Sequence, residues 1–199
     1  MINESDKYFE KYNLITIRVL FFVLVSIKGI DRLVYPAIWA EDGRVFLKQA
    51  FEIGWSSLLK PYDGYFHTIP RLIALISACF PIEAIPVIIV LLCYGIFTYT
   101  ITLPFTKPYK WLFCNQVFSL AIAIVLLVSP GQATMLGNGT NLHWYLLLLL
   151  SILGLKDIRM PYSFGEIVIA FLCVTSEGAV IILLPLFLTR YIMKKTQRV

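Results

Sequence analysis

Apolar residues of this chain come in long blocks that are separated by short polar segments. A helix needs roughly 20 residues to cross the hydrocarbon core of a bilayer, because it rises about 1.5 Å per residue. The blocks cover 14–35, 84–105, 111–128, 144–155 and 164–193, and Ser176-Glu177-Gly178 divides the last one in two. The pattern predicts an all-α integral membrane protein with about six transmembrane helices in a single domain over 1–199.

Lys and Arg residues set the predicted orientation, since short cytoplasmic loops carry an excess of both. The basic groups next to the blocks all face one side when there are six crossings and both termini are cytoplasmic. These groups are Lys7 and Lys11, Lys107 and Lys110, Lys156 and Arg159, and the terminal Arg190, Lys194, Lys195 and Arg198. Segment 131–141 contains no Lys or Arg, so it is predicted to be an external loop.

The first external loop, 36–83, is predicted to contain two short helices in the membrane interface. From Arg44 to Ile53, at about 100° per residue, one arc is polar and the other apolar. The polar arc holds Arg44, Lys48, Gln49 and Glu52, and the apolar arc holds Phe46, Leu47, Ala50, Phe51 and Ile53. Gly54 would end this helix. A turn is expected over 61–64, and a second helix over 70–80 would end at Pro81.

Composition agrees with this prediction. The chain is 59% hydrophobic and 15% charged, against roughly 45–50% and 25% in soluble domains. The formal net charge of +5 does not indicate nucleic-acid binding, because most basic residues flank apolar blocks. The cysteines lie in apolar blocks without metal-ligand spacing, and we interpret them as small core residues. They are Cys79, Cys93, Cys114 and Cys173.

The predicted topology gathers polar residues at the external face. They are Glu41, Asp42, Asp63, His67, Arg71, Asn138, Asn141, His143 and Glu177, beside Trp39, Trp55 and Trp144. This set suits a polar site roofed by interfacial helices. Glu177 stands between two apolar half-segments, where a carboxylate is costly unless it has a role.

Each of these residues also has an ordinary structural interpretation. Asp42 is a typical N-cap for a helix that begins at Gly43, which would leave Glu41 exposed beside it. The histidines suit interfacial hydrogen bonds, Arg71 a headgroup anchor, and the tryptophans an aromatic belt. Asn138-Gly139-Thr140 matches a glycosylation acceptor, a short motif that is common by chance.

Three stretches carry a resemblance to known enzymes. The first, WAEDGRVFLKQAFEIGWSSLLKPYDGYFHTIPRLIA, has a W-x-E-D-G opening, a P-Y-x-G-Y turn and then P-R-L. It resembles the first external loop of a bacterial group of polytopic membrane glycosyltransferases with the C-type fold (GT-C). GNGTNLHWYLLLLL resembles that group's second external loop. SEGAVIILLPLFLTR resembles its Thr-Gly-Pro break, but has Ser-Glu-Gly there.

The resemblance implies a glycosyltransferase that moves a sugar from a polyprenyl-phosphate donor to an external glycan, lipid or protein. Glu41 or Asp42 would be the catalytic base that takes the acceptor hydroxyl proton, and in some members this acid also helps to hold a divalent metal. The departing lipid phosphate would be stabilised by a basic residue. Arg71 is the first candidate, and the alternatives are Arg44, Lys48 and Lys60. The other substrate-binding candidates are His67, Asn138, Asn141, His143, Trp144 and Glu177.

The resemblance also implies a cellular location, the cytoplasmic (inner) membrane of a bacterium. It further implies that the chain matches the N-terminal half of a longer GT-C fold. Two other functions stay open. A small flippase of lipid-linked glycans would instead show polar residues at mid-membrane and a two-fold repeat; neither stands out in the sequence. A non-catalytic subunit or truncated remnant would pack against a membrane partner that supplies further helices, and the short final segments suit this role.

Overall fold

The computed structural model describes residues 14–113, 115–129 and 135–196, and over these residues it is 79% helical without strands. The predicted all-α class is confirmed. The helices are α1 (Leu14–Lys28), α2 (Ile30–Val34), α3 (Lys48–Ile53), α4 (Thr68–Ser77), α5 (Ile85–Thr102), α6 (Lys110–Phe113), α7 (Gln116–Val128), α8 (His143–Gly154), α9 (Phe164–Ser176) and α10 (Leu184–Thr196). A π-helical turn, Asp42–Leu47, leads into α3, and 3-10 turns cover Gly54–Leu59, Leu103–Phe105, Lys107–Tyr109, Thr140–Leu142 and Gly178–Leu183.

Helix α5 lies at the centre of the packing. Helices α1, α4, α7 and α8 contact it, and α9 packs on α4 and α8. Ile89, Cys93, Phe97 and Ile101, spaced four residues apart, form one buried face of α5. The ring of Phe97 lies 4.4 Å from that of Tyr145 on α8, centroid to centroid. Full burial of a large apolar side chain stabilises a fold by about 1.5–3 kcal/mol. Helices α5 and α8 carry most of the buried residues of the shared core.

The first predicted segment, 14–35, is interrupted at Gly29, which separates α1 from α2. The Tyr94 hydroxyl donates a 2.7 Å hydrogen bond to the Gly29 carbonyl oxygen. A Cβ on residue 29 would lie 1.9 Å from the Tyr94 hydroxyl oxygen. Glycine is therefore required here by close approach of a neighbouring side chain rather than by its own backbone angles.

Replacing Gly29 by Ala should destabilise the protein by about 1–3 kcal/mol, because the added methyl forces Tyr94 out of its packed position. The measurement is thermal unfolding of the purified protein in detergent. Gly95→Ala on α5 is the matched control, since a Cβ at residue 95 meets nothing within 4 Å. Equal losses from the two variants would contradict this account of Gly29.

The third predicted segment, 111–128, is not one straight helix. The helical stretches Lys107–Phe113 and Gln116–Val128 meet at a bend of 88°. Asn115 adopts extended backbone angles, and its side chain accepts a 2.8 Å hydrogen bond from the Phe118 N–H, which caps α7. A capping residue starts a new helix direction inside the apolar block, and hydropathy alone does not register it.

Six membrane crossings are not confirmed. Among the described residues, one helical stretch, Ile85–Phe105, could cross a membrane by its length and composition, and the bent pair would be a second if counted as one span. The apolar window of Ile85–Phe105 is 56% buried, as in the core helix of a soluble protein. The 12 residues of α8 and the 13 of α9 reach only about 18–20 Å at 1.5 Å per residue, less than the ~30 Å hydrocarbon core.

The first loop follows its predicted outline. Helical structure runs through Asp42–Leu47 and α3, the α-helix ends at Gly54, whose φ is 54°, and the 3-10 turn Gly54–Leu59 follows. Lys48 and Glu52 are exposed and form a 3.8 Å ion pair. The apolar arc is only partly covered, since Phe46, Leu47 and Ala50 are buried but Phe51 and Ile53 are exposed. The turn falls at 62–65, and the second helix is α4, two to three residues earlier than predicted.

The last block divides where predicted, with α9 ending at Ser176 and the chain re-entering a helix after Glu177. The cysteine prediction is partly wrong. Cys93 and Cys173 are buried free thiols, but Cys79 is exposed at the end of α4, because that short helix buries only its inner face. Cys114 lies outside the described residues, as do Lys7, Lys11, Arg198 and residues 130–134.

Candidate functional site

Asp42 is buried and binds the second loop. Its Oδ2 accepts a 2.8 Å hydrogen bond from the Gly139 N–H, and its Oδ1 accepts a 2.7 Å bond from the Thr140 hydroxyl. A Cβ at residue 139 would lie 3.0 Å from Oδ1, so glycine allows this close approach. Burial raises the pKa of Asp42, while the bonds from Thr140 and Gly139 act to lower it. The carboxylate joins the two loops that were predicted to be external.

The predicted capping role of Asp42 is wrong. Helical structure already includes Ala40 and Glu41, with Glu41 at φ −71° and ψ −30°, and no side-chain cap hydrogen bond is made there. The free N–H groups of a helix start lie in its first turn. The Gly43 N–H donates to the Trp39 carbonyl oxygen, so Asp42 lies inside the first turn and not at the cap position, and its carboxylate bonds the second loop instead.

Glu41 has different surroundings. It is half-buried and lines a cleft of about 240 Å³ together with Ala40, Arg44, Val45 and Tyr62. Within the described part of the chain, no hydrogen bond or ion pair holds its carboxylate. The cleft therefore presents an acid, a guanidinium and a phenol side by side. Of the cations predicted to meet a phosphate, Arg44 is the one that lines this cleft.

The second loop is ordered around Asn138. Asn138 is 2% exposed, and its Oδ1 accepts a 2.7 Å hydrogen bond from the Asn141 N–H. This burial argues against a glycosylation acceptor at Asn138. His143 Nδ1 lies 2.8 Å from the Thr140 carbonyl oxygen, and its ring lies 4.9 Å from that of the exposed Trp144. Trp144 remains available as a stacking face.

His67 lies inside an aromatic cluster. Its ring stacks on Tyr65 at 3.9 Å and lies 5.2 Å from Phe46 and 5.5 Å from Tyr62, centroid to centroid. Its backbone is left-handed, with φ 51°. Burial, with a contribution from the nearby Arg71 charge, lowers the pKa of His67 to about 4. The imidazole is therefore neutral near pH 7, and cannot serve there as a cation for a phosphate.

This lowered pKa predicts acid sensitivity. Between about pH 6.5 and 4 the unfolded chain binds a proton at residue 67 and the folded chain does not, so stability is lost as pH falls through that window. Apparent melting temperatures across pH 7 to 4 measure it. His67→Asn removes the titrating group and should flatten the profile, and Asn tolerates the left-handed backbone angles at this position. An unchanged slope in His67→Asn would refute the assignment.

Arg71 is fully buried, contrary to its predicted place as the first ligand of a departing phosphate. Its Nε donates a 2.8 Å hydrogen bond to the Phe66 carbonyl oxygen, its Nη1 donates to Gln49, and the guanidinium lies 5.2 Å from the ring centroid of Phe46. Nη2 has no hydrogen-bond partner among the described residues. Arg71 thus joins α4 to α3 from inside the protein, while Lys60 remains exposed on the surface.

Glu177 is 6% exposed at the break between α9 and α10. Its Oε1 accepts a 2.6 Å hydrogen bond from the Ala179 N–H, whereas Oε2 has no partner in the described structure. The ring of Tyr65 passes 3.5 Å from where a Cβ on Gly178 would be. The side chain caps the following 3-10 turn, next to Tyr65 of the 62–65 turn.

No group of three or more His, Cys, Asp or Glu side chains that could hold a metal occurs among the described residues. The Asp42 carboxylate binds Gly139 and Thr140 of the second loop, whereas Glu41 lines the cleft. A metal held jointly by this pair therefore stays a prediction without a third ligand.

Sequence reasoning did not single out Thr140 or Tyr62 as parts of this region. The signal for Tyr62 was present, because the P-Y-x-G-Y turn places it opposite Tyr65. No local signal pairs Thr140 with Asp42, since 98 positions separate them.

The chain matches no protein-family model, and comparisons with curated proteins and with solved structures gave no match. The likeness to GT-C enzymes accordingly rests on the three sequence stretches alone.

Proposed function

We propose that this chain is an integral membrane protein. The support is the apolar outer surface of its helices. Exposed large apolar side chains include Ile15, Val19, Val23 and Ile27 on α1, Val117, Phe118, Ile124 and Val125 on α7, Phe164, Ile167, Phe171 and Val174 on α9, and Leu184, Leu188 and Ile192 on α10. Soluble monomers rarely expose contiguous apolar patches of more than a few hundred Å². Lipid would cover these faces.

The proposed orientation predicts opposite labelling of two exposed lysine positions. In a background without native cysteines, Lys60→Cys should react with a membrane-impermeant thiol reagent in intact cells. Lys195→Cys should react only after lysis, because the basic C-terminal end faces the cytoplasm. Both side chains are exposed in the protein, so burial does not confound the comparison. Labelling of both positions from the same side would contradict the orientation.

We propose further that the cleft beside Glu41 and Asp42 is the active site of a glycosyltransferase that uses a polyprenyl-phosphate sugar. The observation that carries this proposal is the contrast between the two neighbouring carboxylates: Asp42 is held by the second loop, and Glu41 lines an open cleft with Arg44. A carboxylate that no other group uses, next to a cation in a cleft, suits a general base beside a leaving phosphate.

The chemistry assigns one role to each group. The acceptor hydroxyl oxygen forms a bond to the anomeric carbon while Glu41 takes its proton. The bond from the anomeric carbon to the phosphate oxygen breaks, and the polyprenyl phosphate leaves with the electron pair. Arg44 stabilises the negative charge that develops on that phosphate. Tyr62 lines the cleft and, in this proposal, contacts the sugar.

The test is sugar transfer in membranes that contain the protein, with radiolabelled polyprenyl-phosphate hexoses as donors and the membrane's own glycans and lipids as acceptors. Label should move to an acceptor, and Arg44→Gln should reduce the transfer while leaving protein abundance unchanged. No transfer from any donor tried, with the protein present and correctly inserted, would reject the enzyme proposal.

A second candidate function is a non-catalytic membrane subunit. It is favoured by the size of the cleft, since about 240 Å³ falls below the roughly 300–1,000 Å³ of most ligand pockets. A partner that packs on the exposed apolar faces would enlarge or complete such a cleft. Co-purification of a second membrane protein, with transfer that requires both chains, would favour this function over an enzyme acting alone.

A further inference from the structure

A second cavity lies at the other end of α8 from Asp42. It measures about 280 Å³ and is bounded by Trp111, by the end of α8 and by α10. Its lining includes the apolar side chains of Leu155, Ile158, Leu186 and Met193. The 12 residues of α8 place it about 18 Å along the helix axis from the Glu41 side, at 1.5 Å per residue. The cavity is therefore separate from the proposed transferase site.

The walls are held in place by polar contacts around residues 155–157. The Trp111 indole N–H donates a 3.0 Å hydrogen bond to the Leu155 carbonyl oxygen. Arg190 Nη2 donates a 2.8 Å bond to the Asp157 carbonyl oxygen, Nη1 donates to the Lys156 carbonyl oxygen, and the guanidinium lies 4.9 Å from the ring centroid of Tyr162. These bonds join three separate parts of the chain, so tertiary contacts of the fold hold the cavity walls together.

The charge at the cavity is positive. Of the charged lining residues, Lys156 is paired with Glu166 at 2.7 Å, which leaves Arg159 and Arg190 against the single carboxylate of Asp157. Asp157 Oδ1 accepts a hydrogen bond from the Arg159 backbone N–H. The Arg159 side chain is exposed, and in the described structure no hydrogen bond or ion pair holds its guanidinium. It is a cation at the mouth of an apolar cavity, free to bind an anion.

We propose that this cavity binds an anionic phospholipid, with the headgroup phosphate on Arg159 and the start of an acyl chain among Leu155, Leu186 and Met193. Basic pockets between membrane helices on the cytoplasmic side suit anionic lipid headgroups, and the exposed indole of Trp111 in the cavity wall is a side chain that favours the membrane interface. The apolar lining requires a ligand with an apolar part, which a free anion lacks. The inference rests on the proposed membrane location and is independent of sugar transfer.

The test is native mass spectrometry of the full chain in detergent, titrated with dioleoyl phosphatidylglycerol or dioleoyl phosphatidylcholine. Phosphatidylglycerol should bind more tightly. Arg159→Gln should weaken it about fivefold, since one basic residue near an anionic lipid contributes about 1 kcal/mol. Lys195→Gln is the matched control: it removes the same charge from an exposed site on α10 that does not line the cavity, and it should leave binding unchanged.

A second pair of variants tests the cavity without changing charge. Thr189→Phe places a ring in the cavity, whereas the neighbouring exposed Leu188→Phe lies outside its lining. Only Thr189→Phe should reduce phosphatidylglycerol binding, with both variants melting as the parent does. Equal losses from Arg159→Gln and Lys195→Gln would overturn the proposal, as would equal affinity for the two lipids. Competition by glycerol phosphate as strong as by the lipid would show a headgroup-only anion site and also overturn it.

The outcomes separate this inference from the other proposals. A chain that binds phosphatidylglycerol but transfers no sugar supports the lipid site and rejects the enzyme. A chain that remains in the soluble fraction of cells rejects the membrane location, and the lipid site with it.

Discussion

Replacing Glu41 by Gln should lower sugar transfer from a polyprenyl-phosphate donor by about 10²–10⁴-fold, the contribution typical of a general base. The amide keeps the size of the side chain but cannot take the acceptor proton. Folding should be unaffected, because no hydrogen bond or ion pair in the described structure depends on the Glu41 carboxylate. The measurements are transfer rate in membranes and the apparent melting temperature of the purified protein.

Asp42→Asn is the matched control, since it makes the same change one residue away. Its side chain bonds Gly139 and Thr140, and a buried donor left without a partner costs about 1–3 kcal/mol. Asp42→Asn should therefore lower the melting temperature, and reduce transfer only as far as the second loop shifts. Full transfer by Glu41→Gln would show that Glu41 is not the base. A large loss of rate in Asp42→Asn with unchanged stability would move that role to Asp42.

The two carboxylates also show how far the site could be predicted from sequence. Hydropathy and the Lys and Arg pattern predict that Asp42 and residues 138–143 lie at the same end of the helices, and the structure brings Asp42 into contact with residues 139 and 140. Depth does not decide which side chains meet. Thr140 and Asp42 pair across 98 positions, and Arg71 folds inward onto Phe66 and Gln49 instead of facing the cleft.

The helix boundaries were likewise predicted in part. Their outer limits were predictable to within a few residues where a block meets Gly, Pro or a charge, as at Gly54 and at Ser176-Glu177-Gly178. Breaks inside apolar blocks were missed. At the Gly29 break the Tyr94 hydroxyl of another helix donates to the Gly29 carbonyl oxygen, a contact that no local pattern contains. Asn115 is different, because an Asn before an apolar run is a known helix-capping signal. The prediction missed this signal because it considered only the length of the apolar block.

Glu166→Gln should destabilise the protein by about 3–5 kcal/mol, the cost of leaving a buried charge without its partner. Lys156 is 5% exposed, and its ammonium group lies 2.7 Å from the Glu166 carboxylate. Gln preserves the capping box, in which Ser163 and residue 166 exchange hydrogen bonds, so the variant removes the charge and one of the two hydrogen bonds from Lys156. Chemical unfolding in detergent measures the loss. Lys48→Met, which breaks the exposed pair with Glu52, should cost less than about 1 kcal/mol.

The two partners of the buried pair should not be equivalent. Lys156→Met leaves Glu166 with hydrogen bonds from the Ser163 N–H at 2.6 Å and the Ser163 hydroxyl at 2.8 Å, and its side chain is 16% exposed. That carboxylate remains solvated and bonded, so Lys156→Met should cost less than Glu166→Gln. The double variant Lys156→Met/Glu166→Gln should recover most of the loss, since it leaves no unpaired charge. Additive losses in the double variant would show that the two residues stabilise the fold independently, through packing and capping, and would refute the ion-pair account.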